Sequence, residues 1–130
     1  MTEKYRHFIV IDDDPINNLL CTKNIQKSVE NAAVITFTEG EIGLDYIKNN
    51  FSKPNENKAI LFLDINMPTM SGWEFIEQIE KLDHILKEQL LIYILSSSVN
   101  QVDKEKAKNH AVVIDYIEKP LSIEILKTIT

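Results

Sequence analysis

The residues most suited to chemistry in this sequence stand where short apolar runs end. They are Asp12, Asp13, Asp64, Ser96 and Lys119. A carboxylate can act as a nucleophile and carry a phosphoryl group as an acyl phosphate. Such a transfer needs positioning and charge neutralisation more than covalent help from the protein. The set therefore offers a nucleophile, two companion acids for a cation, a hydroxyl donor and a positive charge for a phosphoryl oxygen.

Five short, mostly apolar runs must position these residues. They are Phe8–Ile11, Ala33–Phe37, Ala59–Leu63, Leu90–Leu95 and Val112–Ile117. Runs of this length are typical of strands buried on both faces. Because helical patterns separate them, the sequence predicts an α/β fold with a doubly wound parallel sheet, in a single domain over residues 1–130. In such sheets ligands bind at the carboxyl ends of the strands.

The second run, which ends at Phe37, is followed by no comparable group. This gap fits the flavodoxin-like strand order 2-1-3-4-5, in which strand two lies on the outer edge and the crevice opens between strands one and three. We therefore expect a flavodoxin-like (βα)5 sheet with Asp12, Asp13 and Asp64 in that crevice.

Local signals predict how the first helix begins. Asp14 is suited to be its N-cap and Pro15 its first residue, which leaves Asp12 and Asp13 without a local task. The helix is expected to bury an apolar stripe. This stripe consists of Ile16, Leu19, Leu20, Ile25 and Val29.

The remaining helices are predicted from capping signals and apolar spacing. Thr38 and Glu41 form a potential capping box for the second helix. Asn49–Lys58 is polar and predicts a long loop. The third helix opens at Ser71, and its apolar residues are Phe75, Ile76, Ile79 and Leu82. The fourth, Asn100–Asn109, is only weakly amphipathic, and a last helix follows Pro120.

Composition restricts the partners. Twenty acidic residues against fourteen basic ones give a net charge of −6, so nucleic acid is not expected to bind. No apolar run approaches the ~20 residues of a membrane span, and the start is not that of a signal peptide, so no membrane contact is expected. The single Cys21 fits a reducing cytoplasm. His7, His84 and His110 lack ligand spacing, which argues against a histidine metal site.

Three carboxylates in one crevice repel each other. Two unit charges about 5 Å apart at an effective dielectric near 20 interact by about 3 kcal/mol. A cation is therefore expected, and Mg²⁺ suits the site because it binds through one or two carboxylates, keeps several waters and bridges to phosphate oxygens, with Mn²⁺ as a substitute. No other cofactor is expected.

Other phosphate-handling folds lack their motifs here. Gly40, Gly43 and Gly72 form neither a P-loop nor a dinucleotide-binding cluster. A haloacid-dehalogenase-like phosphatase needs a second acid two residues after its nucleophile, where this chain has Asn66. Read singly, the candidates have ordinary explanations: Lys119 as a surface lysine, Ser96 as the end of a strand.

The motifs taken together resemble a known family. They are Asp12-Asp13, Asp64-x-x-Met67-Pro68-x-Met70-x-Gly72, Leu95-Ser96-Ser97 and Lys119-Pro120. In this order they resemble the receiver domain of bacterial two-component response regulators, in a stand-alone, chemotaxis-regulator-like form. The resemblance runs from about Phe8 to the end of the chain.

The resemblance implies a role for each site residue. Asp64 would be the phospho-acceptor and would bind Mg²⁺ directly together with Asp13. Asp12 would act on the ion through water, and the backbone carbonyl of Asn66 would be a further ligand. The remaining implied roles are Ser96 as switch hydroxyl in place of the commoner threonine, Lys119 as the family's lysine, and Tyr116 as aromatic switch.

The resemblance also implies partners. A sensor histidine kinase or histidine phosphotransfer protein would donate the phosphoryl group. A downstream protein would bind the face formed by helix four, strand five and helix five, and Tyr116 would turn there from an exposed to a buried position. The chain would catalyse only its own phosphorylation and dephosphorylation. The alternative is a receiver-like interaction module that is never phosphorylated.

Overall fold

Five parallel strands form one sheet in the order β2-β1-β3-β4-β5 in a computed structural model that describes residues 6–53, 58–98 and 100–130. The strands are β1 (His7–Ile11), β2 (Ala33–Phe37), β3 (Ala59–Asp64), β4 (Leu90–Ser96) and β5 (Val113–Glu118). The helices are α1 (Pro15–Ser28), α2 (Gly40–Asn50), α3 (Gly72–Glu80), α4 (His84–Glu88), α5 (Gln101–Lys108) and α6 (Ile123–Ile129). The predicted flavodoxin-like, doubly wound, single-domain fold is confirmed.

Two apolar layers cover the sheet because successive strand residues point to opposite faces. In β1, Ile9 and Ile11 pack with α2, α3, α4 and α5. Phe8 and Val10 pack on the other face with α1 and α6. The central strand β3 is buried along its whole length. Its last residue, Asp64, is therefore held by a rigid element.

The predicted stripe of α1 is wrong in its first half. Ile16, Leu19 and Leu20 are 68%, 54% and 51% exposed. The inward residues of the helix are Asn18, Cys21 and Ile25. Asn18 sets this rotation because its buried amide donates to the backbone carbonyls of Asp12 (3.0 Å) and Phe37 (3.2 Å). Polar bonds, rather than apolar spacing, thus orient the start of the helix.

Two other local predictions need correction. Thr38 and Glu41 form no capping box, because α2 begins at Gly40 with Glu39 as an N-cap that makes no side-chain bond. The capping box lies instead at α3, where Ser71 and Glu74 bond reciprocally. Helix α3 ends at Glu80, and the long connection after it contains the additional short helix α4.

Helix α4 is stabilised by its ends. Asp83 caps it by accepting from the Ile85 N–H, and Leu86 is its buried anchor. Gln89 follows, and its amide donates to the carbonyls of Phe51 and Lys53 at 2.9 Å each. These bonds fix the start of the loop, which begins at Phe51 rather than at the predicted Asn49 because α2 continues to Asn50. Of the predicted loop Asn49–Lys58, residues 54–57 lie outside the described ranges.

Helix α5 buries only Ala107 and is held to α3 by a group of polar and aromatic contacts. The Nδ1 atom of His110, just after α5, lies 2.9 and 3.0 Å from the two carboxylate oxygens of Glu80. The His110 ring stacks on Trp73 with centroids 5.8 Å apart. Lys106 Nζ lies 5.0 Å from the centroid of the same indole. We call these four residues the α3–α5 brace.

Within the described ranges, no helix has both the length and the apolar content that a membrane crossing requires.

Candidate functional site

Three carboxylates meet at the carboxyl ends of β1 and β3, as predicted. Asp12 and Asp13 follow β1 directly, and Asp64 is the last residue of β3. One carboxylate oxygen from each lies within 4.8 Å of the others. Asp12 and Asp64 are 1% and 3% exposed, whereas Asp13 is exposed to solvent. The cluster therefore has two buried acids and one at its mouth.

Asp12 is held by three donors. Its Oδ2 accepts from Lys119 Nζ and from Asn17 Nδ2, each at 2.7 Å. Its Oδ1 accepts from the backbone N–H of Asp14 at 2.9 Å. Both oxygens of Asp12 are thus engaged by groups of the protein.

Lys119 is the cation of the site. Its Nζ lies 2.7 Å from Asp12 Oδ2 and 3.5 Å from Asp64 Oδ1. It follows β5, its own N–H donates to the Ser96 carbonyl at 2.7 Å, and a cis peptide joins it to Pro120. Burial alone would lower the pKa of Lys119, but the carboxylates of Asp12 and Asp64 outweigh it and raise that pKa. The amine is therefore positively charged at neutral pH.

The surroundings of Asp64 disfavour the charged form of its carboxyl group. Burial and the nearby Asp12 carboxylate raise the pKa of Asp64 to about 6, although Lys119 and the Asn66 N–H, which lies 3.2 Å from Asp64 Oδ1, offset part of the effect. A site that resists ionisation in this way gains from a cation placed near it. Exposed Asn66 borders the carboxylate at the mouth of the site.

Gly72 allows the loop after Asp64 to fold back closely. Its N–H donates to the Ile65 carbonyl at 3.0 Å. A Cβ atom on Gly72 would lie 2.6 Å from Ile65 Cα and 2.7 Å from the Asp64 carbonyl oxygen. Real Cβ atoms do not approach backbone this closely, so the start of α3 can rest against Asp64 only because residue 72 is a glycine.

Ser96 and Tyr116 share an acceptor. Buried Ser96 ends β4 one residue beyond Leu95, which pairs with Asp64 across the sheet. Its hydroxyl donates to the Ser98 carbonyl at 3.0 Å, and the Tyr116 hydroxyl donates to the same carbonyl at 2.9 Å. Tyr116 is half-buried against the core in this structure, and its turn from an exposed to a buried position stays a prediction.

The residues present fit a magnesium ion. The three acids offer only oxygen ligands, which Mg²⁺ prefers. Asp13 and Asp64 are placed to bind an ion directly. Asp12 has both oxygens engaged, which suits contact through water. When bound, the ion would neutralise the acids and the phosphoryl oxygens.

Sequence reasoning missed Asn17 and Asn18. Asn17 donates to the Asp12 carboxylate, and Asn18 joins the carboxyl ends of β1 and β2. A signal was present for Asn18, because it lies three residues before Cys21 and seven before Ile25, on the face that those residues bury. Nothing in the sequence alone distinguishes Asn17 from a solvated helix residue.

The chain matches one protein family and several solved structures. The sequence model of the response regulator receiver domain family matches residues 8–130 of this chain. The chain is similar to the crystal structure of a two-component response regulator from Cytophaga hutchinsonii, with 28% identity, 97% of this chain and 94% of that chain covered, and a TM-score of 0.87. It is also similar to a response regulator receiver protein from Dyadobacter fermentans, with 26% identity, 95% and 93% coverage, and a TM-score of 0.84.

One longer protein contains a segment that is similar to this chain. The sensor histidine kinase CheAY of Helicobacter pylori is 28% identical over 121 residues, which are 93% of this chain and 14% of that protein. This chain therefore corresponds to a small part of that kinase.

Proposed function

Because the chain belongs to the response regulator receiver domain family, we propose that it accepts a phosphoryl group on Asp64 in a Mg²⁺-dependent reaction and thereby switches a protein-binding face. We propose the whole of residues 1–130 as one receiver domain working in the cytoplasm. One observation carries the proposal: the carboxylate of Asp64 ends the central strand with two further acids and Lys119 within reach.

The chemistry is a displacement at phosphorus. An oxygen of Asp64 forms a bond to phosphorus while the bond to the donor's leaving group breaks, and that group keeps the electron pair. Asp13, Asp64 and the Asn66 carbonyl would hold Mg²⁺, with Asp12 acting through water. Lys119 is 3.5 Å from Asp64 and is placed to shift from Asp12 to a phosphoryl oxygen. Its charge neutralises part of the charge that arrives.

The phosphoryl donor in this proposal is a sensor histidine kinase or a histidine phosphotransfer protein. A protein donor must dock beside Asp64, and the first two turns of α1 lie there because Asn17 contacts the site. Ile16, Leu19 and Leu20 expose an apolar surface on those turns. Such exposed groups suit a protein partner better than water. We place the donor's contact on this surface.

The signal would leave through Ser96. If its hydroxyl turns from the Ser98 carbonyl to the phosphoryl group, the loop that Tyr116 also bonds must rearrange. The fourth and fifth helices predicted from the sequence are α5 and α6 here, because the short helix α4 was not predicted. The downstream partner would then bind the face of α5, β5 and α6, which includes exposed Val102 and Ile114. A switch of this kind shifts an existing equilibrium between two conformations.

Intact mass after incubation with acetyl phosphate and Mg²⁺ tests the proposal. The chain should gain one phosphoryl group, Asp64→Asn should gain none, and the control Asp14→Asn should gain one because Asp14 caps α1. Labelling that persists in Asp64→Asn would contradict the acceptor assignment. No labelling of any variant would favour the non-phosphorylated interaction module.

A further inference from the structure

We propose that Asn17 is a positioning residue, a role that rests on the proposed function of Asp64. Its carboxamide keeps Asp12 in place when Lys119 leaves Asp12 for the phosphoryl group. The observation behind this is that Asn17 Nδ2 and Lys119 Nζ donate to the same oxygen, Oδ2 of Asp12, at the same distance of 2.7 Å.

The position of Asn17 is fixed from both sides. Asp14 caps α1, and its side chain accepts from the Ile16 N–H at 2.9 Å. Asn18, the next residue along the helix, is buried and bonded to the backbone ends of β1 and β2. The first turn of α1 therefore cannot rotate without breaking buried bonds. The backbone of Asn17 is therefore held at the edge of the acid cluster by the bonds of its neighbours Asp14 and Asn18, and not only by the bond from its own side chain to Asp12.

The charge balance explains why a second donor matters. Asp12 is 1% exposed, and Lys119 is the cation beside it. When Lys119 moves to the phosphoryl oxygens, a buried carboxylate loses its charge partner, which is unfavourable unless other donors remain. The Asn17 amide and the Asp14 N–H do remain. Asn17 thus makes it easier for Lys119 to move.

A neutral amide is suited to this task. It donates to Asp12 without adding a positive charge that would compete with a metal ion or with Lys119 for the phosphoryl group. The other neighbour of Asn17 is the thiol of Cys21, whose Sγ lies 3.7 Å from Nδ2. Burial and the Asp12 charge raise the pKa of that thiol to about 11, so it remains uncharged at neutral pH. Asp12 is therefore the only strong acceptor that Asn17 has within the described residues.

The test compares two asparagines of one helix. Asn17→Leu and Asn17→Ala remove the donor to Asp12, whereas the control Asn24→Leu removes an amide that donates to the Leu121 carbonyl at 2.9 Å rather than to a carboxylate. Phosphorylation of the full chain by acetyl phosphate and Mg²⁺ is followed by intact mass. The Asn17 variants should react roughly tenfold more slowly. Asn24→Leu should keep the wild-type rate even if it unfolds at a lower temperature.

A double-mutant cycle separates positioning from a merely structural role. In a Lys119→Ala background there is no lysine to transfer, so Asn17→Leu should slow the reaction by less than twofold. A tenfold loss in both backgrounds, or a wild-type rate in both Asn17 variants, would overturn the role of Asn17 while leaving the acceptor role of Asp64 intact. Failure of the wild-type chain to gain mass would instead contradict the proposed function.

Discussion

Asp64 is the residue in which the electrostatic cost of the site is concentrated. Its pKa is about 6 in the folded chain, against an ordinary value of 3.8. A carboxyl with a raised pKa binds its proton more tightly when folded, so the folded chain loses stability as the pH rises from about 4 to about 6. At neutral pH the free energy of unfolding is therefore lower by about 3 kcal/mol than it is at a pH low enough to keep this carboxyl protonated. The carboxyl group proposed as the nucleophile therefore lowers the stability of the folded chain.

We predict that Asp64→Asn abolishes this pH dependence. In EDTA, the free energy of unfolding of the wild-type chain should fall by about 2 kcal/mol between pH 4 and pH 7 relative to that of Asp64→Asn. Urea unfolding at several pH values measures it. Asp14→Asn, which removes an exposed acid, should keep the wild-type slope. Parallel curves for the wild type and Asp64→Asn would show that the burial of Asp64 is not the cause.

Gly72→Ala is predicted to destabilise the chain by about 1–3 kcal/mol, because its Cβ would overlap the backbone of Asp64 and Ile65. It should also slow phosphorylation, since relieving the overlap displaces the backbone next to the Asp64 carboxylate. Gly40→Ala is the control, because its nearest atom is the flexible Met70 Sδ at 3.3 Å. Thermal unfolding and intact mass measure the two effects. Equal effects of the two substitutions would contradict the steric account.

At the scale of elements, strands were easier to predict than helices. All five predicted runs became strands with ends displaced by one residue at most. Burial on both faces leaves a continuous apolar signal in the inner strands β1, β3 and β4. The edge strands β2 and β5 are partly exposed, yet their runs are apolar enough to be recognised. Helix α1 was misoriented because tertiary bonds of Asn18 decide its rotation. Helix α4 was missed because only its Asp83 cap and Leu86 anchor mark it. The convergence of the three carboxylates could be predicted because the ends of β1 and β3 place them. The contact of Asn17 with Asp12 could not be predicted, because it depends on the rotation of α1 about its axis.

The loop after β4 should transmit phosphorylation through Ser96. We predict that beryllofluoride, a phosphoryl mimic, changes amide exchange in α5 and β5 of the wild-type chain but not in Ser96→Ala, which has no hydroxyl to move from the Ser98 carbonyl to the mimic. The exposed neighbour Ser97 provides the control, and Ser97→Ala should behave like wild type. A full response in Ser96→Ala would exclude this route.

At the scale of the whole molecule, an ion that binds only the folded chain raises its stability by mass action. We predict that Mg²⁺ raises the unfolding temperature, by an amount equivalent to about 2.7 kcal/mol at a hundredfold excess over its dissociation constant. Asp13→Asn should be more stable than wild type without metal and should respond less to Mg²⁺. Calorimetry with and without millimolar Mg²⁺ measures this. An unfolding temperature indifferent to Mg²⁺ would count against the acid cluster as a metal site.

The α3–α5 brace gives the chain a natural optical probe. Trp73 is the one tryptophan in the sequence, and its indole lies beside His110 and Lys106, at the end of the helix that the proposed switch would move. Indole emission responds to nearby charges and to stacking on a ring. Any displacement of α5 would therefore be recorded as a change in fluorescence intensity or wavelength. The kinetics of the proposed switch would then be followed in the unlabelled protein, in real time, with no dye attached.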